Sequence, residues 1–588
     1  MLALPDASMS FDAHRSPARV SAAAAARLPR SLLWTLLLLY GIAGLLGHDP
    51  WFQDDAAGFG IMWTMAHGHA MDLWLPNVFG APVAEEGPFP YWVGAVLIRL
   101  FGPIFGDAMA ARITCLLWLL LGTMALWYST YGVARRAEAQ PVAFAFGGEA
   151  NARDYGRMLA DISVLLFLGT IGIAVRLHQT TVEGAAVALL AMTLLGMTLA
   201  LERPRAGEWL AGLALGALAL TRGVVPALFA VPAVFIASAL VYRGANRWRI
   251  PVTTTLVGSV IFAVWPVTAM TLYPERAPDF FAAWRTWSIE SVGFPGAAEL
   301  GRIGRNFPWY VWPLWPLGLW TVYAWRHALR APHVALAGLL SIAMLARLFF
   351  SSAPSESMLI LTVPALVPLA AFGATTLRRA AENAVDWFAI ALFSLLALGA
   401  WAYFIAMQTG TPPKMAASVA RLIPGFTEKA SPIATIAALI TTAAWLGFVI
   451  WRVRARPPML WRGPMLEAAG LTLTWVVINL LFMPAFNYNR SYAGLAEQVA
   501  AQIQRTGGSP CVYAHRLLPA HRALFALLGG LHFVRPEQEG DCLVALHRDS
   551  RRSRLDDEPP PGPWQLIWEG TWPTRQDETF RLYRRGRS

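Results

Sequence analysis

Charge is scarce in this sequence, and one cation is nearly missing. Of 588 residues only 14% are charged, against 56% hydrophobic, and lysine occurs twice, at Lys414 and Lys429. So little charge over so long a chain, with a mean hydropathy of +0.46, excludes a soluble globular enzyme. No Walker or dinucleotide fingerprint is present, so nothing in the sequence calls for a nucleotide. Cysteine is limited to Cys115, Cys511 and Cys542.

Apolar runs are abundant instead. A bilayer-spanning helix needs about 20 apolar residues, and such stretches recur from Ser31 to Phe482. Spans are expected near 31–47, 108–133, 158–175, 184–201, 208–221, 224–242, 251–272, 308–325, 334–350, 358–377, 387–407, 433–451 and 466–482. The fold class is therefore an all-α polytopic membrane protein of about 13 transmembrane helices. The net charge of +11 follows membrane topology and not nucleic-acid binding. Basic residues crowd segments such as Arg15–Arg30, Arg135–Arg157, Arg243–Arg249 and Arg452–Arg462, while acids and Trp fill His48–Pro90 and Pro274–Phe307. Positive segments face the cytoplasm. Residues 1–30 then form a disordered cytoplasmic tail, 31–482 the transmembrane domain with an outer first loop at 48–107, and 483–588 an outer C-terminal domain.

That C-terminal stretch reads as a small α/β domain. Strands are expected at Cys511–Ala514, His532–Arg535 and Cys542–Ala545, a helix at Ala520–Leu528, and a closing hairpin from Trp564–Trp568 and Thr579–Arg584. Cys511 and Cys542 either pair in a disulfide, which an extracytoplasmic compartment permits, or remain two buried thiols.

The first outer loop holds two acidic pairs, Asp54-Asp55 and Glu85-Glu86, the second followed by Gly87-Pro88-Phe89-Pro90-Tyr91-Trp92. Carboxylates at the membrane surface can serve as a general base or hold a metal. A solvated loop that merely avoids lipid would also carry them. His67 and His69 lie nearby, a His-x-His pair short of the three or four ligands a metal needs. Outer-facing arginines at Arg176, Arg222, Arg285, Arg302 and Arg305 are candidate phosphate ligands through their bidentate fork or interfacial snorkelling side chains. Arg222 leads, because a lone cation at a tight turn between apolar helices is costly without an anion. His178 and Glu183 flank a short polar turn that either binds substrate or simply joins two helices.

The order Asp54-Asp55, an amphipathic helix, Gly80-x-Pro82, Glu85, then Pro88 and Tyr91-Trp92 resembles the first periplasmic loop of the GT-C glycosyltransferases. Within them it is similar to the branch of lipid A aminoarabinose transferases and protein O-mannosyltransferases. The resemblance implies inverting transfer of a sugar from an undecaprenyl-phosphate donor to lipid A, another glycan or a protein, at the periplasmic face of a bacterial inner membrane. It implies Asp55, or its neighbour Asp54, as the base, with Tyr91 beside the second motif. A divalent metal between adjacent carboxylates stays open, and no other cofactor is implied. One departure is clear. That branch places a lysine after the glutamate of its second motif, where this chain has Glu86, so the donor phosphate must meet an arginine elsewhere. The competing readings are a lipid or solute transporter, which should carry internal repeats and mid-membrane ion ligands, and a non-catalytic envelope-assembly protein.

Overall fold

The computed structural model describes residues 16–51, 53–455, 459–550, 559–572 and 574–586. Each of the thirteen apolar runs contains helix, but 31–47 is helical only to Ile42, 158–175 breaks after Leu168, and 308–325 is split between Ala297–Tyr310 and Leu314–Ala324. Among the described residues, nine helices are long and apolar enough to cross a membrane. Phe89–Phe105, inside the expected first loop, is a further apolar helix of 17 residues. The last apolar run is longer than its pattern suggested, because the helix Arg462–Arg490 continues through Pro484.

Burial sorts these helices into an interior and a rim. Val182–Leu199 and Glu356–Ala374 are enclosed almost entirely, whereas Pro432–Arg454 and Asn246–Leu272 leave most of their apolar windows uncovered. Apolar surface on that scale requires a non-aqueous surround. Where helices touch, small residues set the distance. A Cβ on Gly196 would lie 2.4 Å from the Ala211 nitrogen, and one on Gly216 would lie 2.6 Å from the Gly258 carbonyl. In lipid, where no hydrophobic force drives helices together, such close backbone approach supplies the packing energy.

The N-terminal stretch from residue 16 is ordered, which corrects the expected tail. Ala18 and Val20 are fully buried because Val142 donates to the Ala18 carbonyl at 3.0 Å and Ala150 to the Val20 carbonyl at 3.0 Å. Residues 1–15 of that tail lie outside the described residues.

Two small sheets complete the fold. In the first loop, β1 (Asn77–Val78) and β2 (Ala81–Pro82) form an antiparallel hairpin. In the C-terminal region, β3 (Val512–His515), β4 (Val544–Ser550), β5 (Trp564–Trp572) and β6 (Arg575–Arg585) form a sheet of order β3-β4-β6-β5. The β3–β4 pair is parallel, joined through the helix Pro519–Gly529, and the other pairs are antiparallel. His532–Arg535 does not form the expected strand. It makes a single bridge from Phe533 to Val512, and Pro536, which begins a short 3-10 turn, has no N–H to extend a ladder. Cys511 and Cys542 are joined by a disulfide, with their Cα atoms 5.1 Å apart.

This C-terminal region rests on the first loop. Arg522 donates to the Phe79 carbonyl at 3.0 Å, Arg535 pairs with Asp72 at 3.1 Å, and a Cβ on Gly60 would lie 2.8 Å from that of Ala523. The contact is apolar at its centre and charged at its edge.

Candidate active site

Two glycines bring the motifs of the first loop to the helical bundle. A Cβ on Gly58 would lie 2.0 Å from the Thr180 carbonyl, and one on Gly87 would lie 2.2 Å from the Leu220 carbonyl. Only glycine permits either approach. The first seats the helix Asp54–His67 on the turn at Thr180. The second seats Glu85-Glu86-Gly87 on the turn before Arg222, where Gly87 donates to the Thr221 carbonyl at 3.0 Å and Phe89 to the Leu220 carbonyl at 3.1 Å. Backbone strain marks both places, with Gln53 at φ 105° and Glu86 at φ 56°, conformations that non-glycine residues hold only when their surroundings impose them.

Between these elements lies a cavity of about 930 Å³. Its acidic lining is Asp54, Glu85, Glu86, Glu183, Glu290 and Glu578, and its basic lining is Arg176, Arg222, Arg347 and Arg548. Glu578 and Arg548 come from the C-terminal sheet, together with Leu518, Pro519 and Ala520. The cavity is thus lined in part by residues distant in sequence.

The adjacent aspartates have different tasks. Asp55 is 3% exposed. One of its carboxylate oxygens accepts from the Trp51 nitrogen at 2.9 Å, and the other from the Thr180 nitrogen at 2.7 Å and hydroxyl at 2.8 Å. It fastens the start of its helix to the bundle. Asp54 faces the cavity with a 62% exposed side chain, its Oδ2 3.0 Å from Arg176 Nη1. Of the two, only Asp54 presents its carboxylate to the cavity.

Glu86 is the centre of a second cluster. It pairs with Arg222, accepts from the Tyr91 hydroxyl at 3.0 Å, and its backbone carbonyl accepts from the Trp284 indole at 2.7 Å. Glu183 stands 3.8 Å from the same guanidinium. Burial pushes the Glu86 carboxyl up to about 7, with Arg222 opposing the rise. At the C-terminal rim, burial of Glu578 is overcome by hydrogen bonds from His521 and Arg548, which hold it down to about 2.

Several other candidates lie elsewhere. His178 is buried, its Nε2 2.6 Å from the Tyr40 carbonyl and its Nδ1 against the Ala174 carbonyl, so both ring nitrogens are spent inside the bundle. Arg285, Arg302 and Arg305 are exposed and outside the cavity lining; Arg302 donates to the Pro354 carbonyl at 2.7 Å. His67 stacks on Trp63 at 4.5 Å with Asp107 3.6 Å away, and the His69 backbone donates to Asp72 at 2.7 Å. Among the described residues, no group of three His, Cys, Asp or Glu could hold a metal.

Arg347, Ser351 and the C-terminal pair Arg548–Glu578 escaped the sequence reading. Arg347 had a legible signal, a single cation within an apolar run. The C-terminal pair had none, since only the folded chain brings that sheet to the cavity.

No family model matches the chain, and no curated protein matches it. Solved structures do. ArnT from Cupriavidus metallidurans bound to undecaprenyl phosphate superposes with a TM-score of 0.63 at 17% identity, over 94% of this chain and 97% of that one. The same protein in the apo state gives 0.63 at 16% identity over the same shares. The chain has the ArnT fold. Coverage that wide takes in the membrane bundle and the C-terminal sheet alike.

Proposed function

We propose that this membrane protein is a glycosyltransferase that moves a sugar from a polyprenyl-phosphate donor to an envelope acceptor: lipid A, another glycan or a protein. The observation that carries the proposal is Asp54, a cavity-facing carboxylate paired with Arg176, set in the fold of a protein solved with undecaprenyl phosphate bound. In the reaction the acceptor hydroxyl attacks the anomeric carbon as its bond to the phosphate oxygen breaks. Asp54 takes the hydroxyl proton, the polyprenyl phosphate departs with the bonding pair, and one displacement inverts the anomeric centre. Arg176 aims the carboxylate. The strained turn at Glu86 keeps Arg222 and Tyr91 at the cavity wall, where they contact the sugar or its phosphate. The C-terminal sheet encloses the reacting groups, excluding water that would compete as acceptor.

The proposed setting is a bacterial inner membrane with the N-terminus cytoplasmic and the cavity periplasmic. The distribution of arginine supports it, as does the Cys511–Cys542 disulfide, a bond of oxidising compartments. Lipid analysis tests the assignment. Cells lacking the gene, and cells carrying Asp54→Asn, should accumulate a polyprenyl-phosphate sugar and lose one glycoconjugate, whose identity names the acceptor. An unchanged lipid pool in both would return the protein to the transport or assembly classes.

A further inference from the structure

Four arginines line the cavity, and three are neutralised by carboxylates: Arg176 by Asp54, Arg222 by Glu86 and Arg548 by Glu578. Arg347 is not. It is 4% exposed, and among the described residues no carboxylate lies within ion-pairing distance of it. Its acceptors are all neutral and all long: the Phe350 carbonyl at 3.3 Å, and the Ser291 carbonyl at 3.5 Å and hydroxyl at 3.4 Å. Its Nε donates to nothing. Four residues on, Ser351 is fully buried, its hydroxyl also without a partner, and it lines the same cavity. Its backbone is held there by a bridge to Val292.

A buried guanidinium with idle donors is costly unless an anion completes it. Carboxylates fill that need for the neighbouring arginines, so at Arg347 the missing anion belongs to a ligand. Guanidinium and hydroxyl together suit a phosphate, which accepts from several donors at once. We infer that Arg347, with Ser351 beside it, seats the phosphate of the lipid-linked donor. This rests on the glycosyltransferase reading and adds to it the residue that answers the missing lysine. It also divides the cavity by role. The phosphate sits against the wall built by Ser291, Arg347 and Ser351, and Asp54 takes the acceptor proton at a separate place, so the leaving group and the base do not compete for one cation.

The test uses the full chain in lipid nanodiscs, with undecaprenyl phosphate as the probe and undecaprenol, which lacks the phosphate, as its control. Arg347→Gln should weaken undecaprenyl phosphate binding by roughly tenfold to a hundredfold, the range of one lost charge-assisted contact, and leave undecaprenol unchanged. Asp54→Asn should bind the phosphate like the parent protein while losing transfer. If Arg347→Gln folds poorly, Arg347→Lys and Ser351→Ala each keep the site filled or charged and should weaken binding severalfold. Parent-like affinity in Arg347→Gln, or in both milder variants, overturns the inference while leaving the Asp54 assignment standing. A parent protein with no preference for undecaprenyl phosphate over undecaprenol overturns the donor assignment itself, and the inference with it.

Discussion

Asp54 and Asp55 are consecutive in the chain and opposite in environment: the first meets Arg176 at the cavity surface at 3.0 Å, the second is buried against Trp51 and Thr180. Their substitutions should therefore fail in different ways. Asp54→Asn should reduce transfer by about 10²- to 10⁴-fold, the usual worth of a positioned base, with an unchanged melting temperature. Asp55→Asn should lose stability by about 1–3 kcal/mol, the cost of leaving buried donors poorly matched, and lose activity in proportion to unfolding. Paired thermal-melt and transfer assays separate the two, and a normal melt with abolished transfer in Asp55→Asn would reverse the assignment.

Glu86 gives the protein a pH dependence of defined sign. In the unfolded chain it ionises near its ordinary value of 4.5, whereas burial in the folded protein delays ionisation to about 7. Between those values the folded form keeps a proton that the unfolded form has lost, so this group's contribution to stability falls as pH rises through the window. Melting temperature measured from pH 4.5 to 8 should carry that slope in the parent protein. Glu86→Gln, which cannot ionise, should flatten it, and an equal slope in both would disprove the role.

Much of this was legible in the sequence, and what was not has physical reasons. Hydropathy located the helices because lipid demands long apolar runs, and the first-loop motif located the cavity through Asp54, Glu85, Glu86 and Tyr91. Hydropathy left Phe89–Phe105 as part of a loop because the run is short and interrupted by Pro90 and Pro103. The choice between Asp54 and Asp55 could not be read, since neighbouring residues at a helix start differ only in direction. His178 looked like a site residue because a polar turn and a satisfied interior histidine share one sequence signature. Glu86 looked like a defect in a phosphate motif, yet it is the partner of Arg222.

Arg222 and Glu86 should depend on each other. Their side chains are 13% and 21% exposed, so removing Glu86 leaves Arg222 charged and largely dry, whereas Glu86 without Arg222 keeps its proton. Glu86→Ala should cost about 3–5 kcal/mol, the typical loss on breaking a buried pair, and should lower the yield of folded protein. Arg222→Gln combined with Glu86→Gln removes both charges and should fold better than Glu86→Ala. A double-mutant cycle on melting temperature measures the coupling, and simple additivity would show that the pair is independent.

The disulfide supplies a test of both stability and sidedness. Cys511 and Cys542 lie 31 residues apart, and closing a loop of that size stabilises a small domain by about 3–4 kcal/mol in the chain-entropy view. The loop it closes carries Leu518, Pro519 and Ala520 to the cavity, so loosening it should affect the site as well as the fold. Cys511→Ser with Cys542→Ser should lower the melting temperature of the C-terminal region and weaken transfer, leaving the membrane bundle folded. Sidedness is read on intact cells stripped of their outer membrane. A membrane-impermeant maleimide should label the parent protein at Cys511 and Cys542 only after treatment with an impermeant reductant. Labelling without reduction would show free thiols, and labelling after reduction that appears only once detergent opens the inner membrane would place the C-terminal domain on the cytoplasmic side.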